Sequence, residues 1–134
     1  MQIFNQRLHP GTDLKQALQE LQKQHQLQAS VVLSSVGSLA ELRLRLAGAS
    51  AQNAAGVLSF SGPFEILSLN GTLGADGVHM HLCVSDKDGH CWGGHLLEGC
   101  KVYTTVELVL LEQQGVQFRR EQDPATGFKE LKIR

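Results

Sequence analysis

A chain of 134 residues, 42% of them hydrophobic, has the length of one domain and enough apolar side chains to bury a core. Its formal net charge of -1 and pI near 6.6 give no electrostatic pull toward nucleic acid, so direct DNA binding by this domain alone is not expected. No apolar run reaches membrane-spanning length and residues 1–7 lack the apolar stretch of a signal peptide, so the sequence reads as a soluble cytoplasmic protein.

The sequence predicts an α+β fold over residues 1–134, a mainly antiparallel β-sheet with one principal helix. Residues 2–8 form an opening strand, which His9-Pro10-Gly11-Thr12 breaks. Asp13 is placed to cap a helix, with Gln16 three residues on to complete a capping box. Leu14, Ala17, Leu18 and Leu21 make a single apolar stripe, so this helix lies on a sheet and keeps its other sides wet.

From Ala29 the pattern is that of strands. Residues 29–36 are β-rich, Gly37-Ser38 marks a break, and Leu42, Leu44 and Leu46 then alternate with Glu41, Arg43 and Arg45. Residues 57–60 form a short strand closed by Ser61-Gly62-Pro63. Residues 64–73 form the next, followed by an Asp76-Gly77 turn and a strand over 78–85. A turn at Lys87-Asp88-Gly89 leads to residues 91–95. Residues 102–112 make a long, nearly continuous apolar strand, and from Phe118 the chain adds one more strand around an Asp123-Pro124 turn. The cysteines Cys83, Cys91 and Cys100 are odd in number and have no CxxC spacing, which argues against a disulfide framework.

Val31-Val32-Leu33, Ile66-Leu67 and residues 106–111 put apolar groups on both strand faces, more than one four-turn helix can cover. A homo-oligomer is therefore predicted; the alternative is a sheet curled into a barrel around its own core.

Chemistry concentrates in His79-Met80-His81 and Gly93-Gly94-His95. Side chains alternate along a strand, so His79 and His81 share a face. A three-residue Lys87-Asp88-Gly89 loop pairs His81 with His95 and Cys83 with Gly93, which brings His95 to that face with Cys83 beside it. A two-residue Asp88-Gly89 loop sets Leu82 opposite His95 instead. Three neutral imidazoles can hold a divalent transition metal, zinc above all, and leave a coordination position open. The same cluster also fits a catalytic base or ordinary polar packing. Cys91 and Cys100 read as buried small apolar residues, and His9 and His25 as surface residues.

Two carboxylates stand out. Glu65, on one strand face with Leu67 and Leu69, and Glu107, with Tyr103 and Thr105, could orient the metal ligands or serve as a base, or pair internally with Arg7, Arg43 or Arg45. An enzyme using a metal-activated water is chemically sufficient on these residues, although no substrate is named by them. There is no phosphate-cradling loop, no GxSxG elbow and no HExxH helix. Arg43, Arg45, Arg119 and Arg120 read as a solvated basic face.

The chain resembles a known family. Arg7…Pro10-Gly11-x-Asp13-Leu14 and Gly62-x-Phe64-Glu65-Ile66-Leu67-Ser68-Leu69-x-Gly71 are similar to motifs of the PPC (plants-and-prokaryotes-conserved) domain. His79-Met80-His81-Leu82, Asp86-x-x-Gly89, Gly93-Gly94-His95-Leu96 and Gly99-Cys100-x-Val102-x-x-Thr105-x-Glu107 continue the match in order. The resemblance implies a compact α+β fold, a homotrimer, and in some prokaryotic members a metal on the histidines matched by His79, His81 and His95. Plant relatives join the domain to AT-hooks that enter the DNA minor groove and use it for self-association and contact with regulators. Here no Arg-Gly-Arg-Pro hook is present, and Pro63 stands where the plant run has arginine. What the resemblance implies is therefore a stand-alone, prokaryotic-type member, with protein contacts as its route to any regulatory role.

Overall fold

The fold is built around one capped helix and one long, strongly curled sheet. We describe it from a computed structural model, over residues 1–50, 52–53 and 56–134. Strand β1 (Gln2–Leu8) leads to helix α1 (Leu14–Gln24). Asp13 caps this helix as the sequence predicts, its Oδ1 accepting the Gln16 N–H at 3.1 Å. The capping box stays half made, because the Gln16 side chain turns away to Glu98, 3.4 Å from its Nε2. Asp13 instead spends its second oxygen across the molecule, accepting the Gly99 N–H at 2.7 Å with Lys101 Nζ at 3.5 Å. Leu14, Ala17, Leu18 and Leu21 bury the predicted stripe against the sheet. Each such leucine contributes about 1.5–3 kcal/mol of burial free energy.

The remaining strands are β2 (Ser30–Arg45), β3 (Val57–Gly74), β4 (Gly77–Ser85), β5 (Cys91–Leu96), β6 (Val102–Glu112), β7 (Phe118–Gln122) and β8 (Lys129–Ile133). All pair antiparallel, in the order β1-β6-β2-β3-β4-β5 with β7-β8 as a separate two-stranded sheet. No helix is long and apolar enough to cross a membrane.

Three predicted boundaries are corrected. Gly37-Ser38 does not end a strand: β2 runs 16 residues without interruption. Residues 57–60 and 64–73 belong to one 18-residue strand, β3, which passes straight through Gly62-Pro63. Proline lacks the ladder donor, but the β2–β3 register shifts at that point, and Ala40 of β2 donates its N–H to Lys101 O at 2.8 Å instead of to β3. The end of the chain holds two strands rather than one, hinged on the Asp123-Pro124 turn and pinned by buried Phe118, whose N–H donates to Gln28 O at 2.8 Å.

The curl closes on itself. The last residues of β2 return to β5, pairing Leu44 with Leu96 and Arg45 with His95. Gly94 makes this possible, since a Cβ there would stand 2.6 Å from the Arg45 carbonyl oxygen. Inside the closed part lie Leu42, Leu44, Leu69, Leu73, Met80, Leu82, Val84 and Leu96, joined to the helix stripe and to Leu108 and Leu110 of β6 in a single cluster. The curled-sheet alternative is thus realised, yet it does not cover everything. Ile3, Leu33, Val36, Leu67 and Tyr103 remain more than half exposed. Val36 of β2 and Leu67 of β3 both lie on this bare outer surface, Val36 opposite Glu107 of β6.

Candidate metal centre

The hairpin between β4 and β5 fixes the geometry of the histidines. Asp86 N–H donates to His90 O at 2.9 Å and Gly89 N–H to Asp86 O at 3.0 Å, which leaves a three-residue loop with Gly89 at φ 81°. The Asp86 carboxylate locks the loop: Oδ1 accepts the N–H groups of Asp88 and His90, both at 2.9 Å, and Oδ2 accepts the Trp92 indole N–H at 3.2 Å. The register is the predicted one, with His81 opposite His95 and Cys83 opposite Gly93.

His79, His81 and His95 consequently converge. Their ring centroids stand 5.3 Å (His79–His81), 5.0 Å (His79–His95) and 5.8 Å (His81–His95) apart. One nitrogen from each lies within 4.8 Å of the others. Tetrahedral zinc, with nitrogens at about 2.1 Å, brings ligand atoms to roughly 3.4 Å from one another, so small side-chain rotations close the set. The His95 Nδ1 is buried and has no hydrogen-bond partner among the described residues. A buried, unpaired imidazole nitrogen is costly unless something else occupies its lone pair or proton. The donor set therefore fits a transition metal.

The electrostatics keep two of these rings, His79 and His95, in the ligating state. Burial, reinforced by the Arg45 guanidinium, pushes the His95 imidazole down to about 4. Burial and the Arg120 guanidinium lower His79 below the usual histidine range. At neutral pH both are uncharged, as metal ligation requires.

The cluster forms the floor of a cleft of about 760 Å³. Across the floor, one row of register partners runs Arg45, His95, His81, Asn70 over four strands. In the next row His79 stands opposite Thr72, whose Oγ1 accepts a hydrogen bond from Arg120 Nη2 at 2.7 Å. Arg45 and Arg120 are thus cleft residues, not part of a solvated basic face; Arg43 instead donates to Glu98 O, and Arg119 pairs with Asp76. Sequence reasoning missed both because the β2–β5 closure and the docking of the β7–β8 hairpin carry no local signature.

Other predicted residues fall differently. Cys83 lines the cleft, its thiol raised by burial and by the neighbouring Cys91 thiol. Cys100 is buried as predicted, but Cys91 is exposed near the hairpin turn. His9 and His25 are exposed. Glu65 is exposed, opposite Ser85 and Ser38, and does not line the cleft. A bulge between Ile66 and Ser68 breaks the expected alternation, so Glu65 and Leu67 face outward while Leu69 is buried. Glu107, also exposed, stands between Arg7 and Val36 on the outer surface. A second group, Asp86, Asp88 and His90, also gathers three ligand atoms within 4.8 Å, but its carboxylates already serve the turn and Lys87.

A model of the Plants and Prokaryotes Conserved (PCC) domain matches residues 1–114. The chain belongs to this family. Among curated proteins, the bifunctional protein GlmU of Synechococcus sp. strain JA-2-3B'a(2-13) is 49% identical to this PCC chain over 133 residues, which cover 99% of the chain and 20% of GlmU. The chain spans about a fifth of the length of the curated relatives it matches. Among solved structures, a hypothetical protein from Salmonella enterica is 39% identical, with TM-score 0.93 and coverage of 99% of this chain and 93% of that one. A metal-containing protein from Archaeoglobus fulgidus is 25% identical, with TM-score 0.85 and coverage of 98% and 93%.

Proposed function

We propose that this PCC protein is a homotrimeric metal-binding module in which His79, His81 and His95 hold a divalent transition metal, zinc by preference, at the floor of the cleft. The carrying observation is the convergence of three imidazoles, one nitrogen of each within 4.8 Å of the others, with the buried His95 Nδ1 lacking a hydrogen-bond partner among the described residues. The metal-containing relative from Archaeoglobus fulgidus supports the reading. Bound there, the metal would supply a Lewis-acidic position open to the cleft. The chain's own contribution is to keep His79 and His95 neutral and to set the spacing of the three imidazoles by the Asp86-locked turn. Cys83 lies close enough to influence the site from the cleft wall; Glu65 and Glu107 act, on this reading, elsewhere on the surface.

The trimer rests on the bare outer face formed by Ile3, Leu33, Val36, Leu67 and Tyr103, a patch too apolar to leave wet. The match to part of a longer GlmU protein suits a module that works beside other domains. Three free thiols suit a reducing compartment, and we assign the protein to the cytoplasm.

Elemental analysis of protein purified without a histidine tag tests the metal assignment. About one zinc per chain, as purified or after loading and dialysis, is the expected result. Absence of retained metal under both conditions defeats it.

A further inference from the structure

The cleft above the three histidines holds more cationic charge than its carboxylates balance. Arg45, Arg120 and Lys129 line it, against Asp76 and Glu130. Asp76 is already engaged, lying 3.0 Å from Arg119 Nε and accepting the Arg120 backbone N–H at 2.9 Å. Glu130 is then the carboxylate left to face three cations. Among the described residues neither the Arg45 nor the Arg120 guanidinium has a carboxylate within 4.0 Å. Both side chains are partly buried, where a guanidinium without a counter-charge is costly.

Their placement is specific. Arg45 is the register partner of His95, and Arg120 is anchored on Thr72, the register partner of His79. The two guanidiniums therefore flank the imidazole set from opposite sides of the cleft floor. Planar forks of this kind recognise carboxylate and phosphate oxygens bidentately. Leu46, Val78 and Phe128 add apolar wall, and a volume of about 760 Å³ suits a small organic molecule.

We infer that the cleft binds a small molecule through an oxyanion, a carboxylate or phosphate group, which Arg45 and Arg120 hold against the open side of the histidine site. The inference rests on the metal reading above and names the ligand class of that site. One of the two arginines, together with Lys129 and Phe128, comes from the β7–β8 hairpin, which lies beyond the residues 1–114 matched by the family model. Ligand preference is on this view set in part by a segment beyond the residues that the family model matches.

The test uses the full chain, untagged and zinc-loaded. Calorimetric titrations with inorganic phosphate and with succinate form separate arms, on the wild type, Arg45→Met and Arg120→Met. Zinc affinity is measured in parallel by competition with a chromophoric chelator. At least one oxyanion binds the wild type, and each arginine variant weakens it about tenfold or more while about one zinc per chain is still retained. The stronger arm tells a carboxylate from a phosphate site. If zinc does not bind the wild type, the metal reading falls and this inference with it. If zinc binds but neither anion does at about 10 mM, or the arginine variants bind the anion as the wild type does, this inference alone is overturned.

Discussion

His81 stands directly opposite His95 in the β4–β5 ladder, in the row that also places Arg45 beside His95. Two imidazoles and a guanidinium therefore meet because of one hairpin register and one seam of the barrel.

Removing either member of the His81–His95 pair leaves two imidazoles for the metal. His81→Ala and His95→Ala are each expected to weaken zinc binding by about a hundredfold, read by chelator competition, with the far-ultraviolet dichroism of the sheet retained. Wild-type zinc affinity in both variants would place the metal elsewhere.

The seam and the turn use glycine for different reasons, and alanine separates them. At Gly89, φ is 81° and a Cβ meets nothing within 4 Å, so Gly89→Ala costs about 1 kcal/mol in urea unfolding. At Gly94 a Cβ meets the Arg45 carbonyl at 2.6 Å and Leu44 Cβ at 3.2 Å, both on the facing strand. Gly94→Ala is expected to cost about 2–3 kcal/mol or more and to speed amide exchange at Arg45 and Leu96. Equal costs at the two positions would contradict a closed β2–β5 seam.

The Cys100 thiol gives a pH signature. Burial pushes it up to about 11 from 9.0. The folded state then binds the thiol proton more tightly than the unfolded chain, so this contribution to stability is complete below pH 9 and is lost as pH rises toward 11. The loss amounts to roughly 2–3 kcal/mol. Cys100→Ser or Cys100→Ala should flatten the stability profile over that window. In the native protein near pH 8, Cys91 should react with a thiol reagent while Cys100 reacts only on unfolding.

Light scattering checks the assembly. The wild type is expected at about 44 kDa, three times 14.6 kDa. Val36→Glu or Leu67→Glu, both on the exposed outer face, should shift it toward the single-chain mass without removing zinc. A concentration-independent single-chain mass for the wild type would reject the trimer.

Much of this was legible in the sequence. The Asp13 cap, the stripe from Leu14 to Leu21 and the three-residue loop ending at Gly89 are local patterns with local causes, and each appears in the structure as read. The convergence of His79, His81 and His95 followed from that loop. What could not be read depends on pairings between distant segments. Gly62-Pro63 looks like a terminator until the shifted register opposite Ala40 absorbs it. The exposed side of Glu65 depends on a bulge two residues away. Arg45 and Arg120 look like ordinary surface cations until β2 meets β5 and the last hairpin docks.

The three imidazoles come from a stretch of only 17 residues, 79–95, whereas Arg45 comes from 50 positions before its partner His95. Short sequence separation favours early contact, and long separation delays it. We expect the histidine set to assemble first during folding and the guanidinium to arrive with the final closure. Zinc added during refolding should then accelerate collapse of the hairpin before Trp92 and Phe60, whose ring centroids lie 4.8 Å apart, come into contact. Stopped-flow tryptophan fluorescence that leads or coincides with zinc uptake would reverse that order.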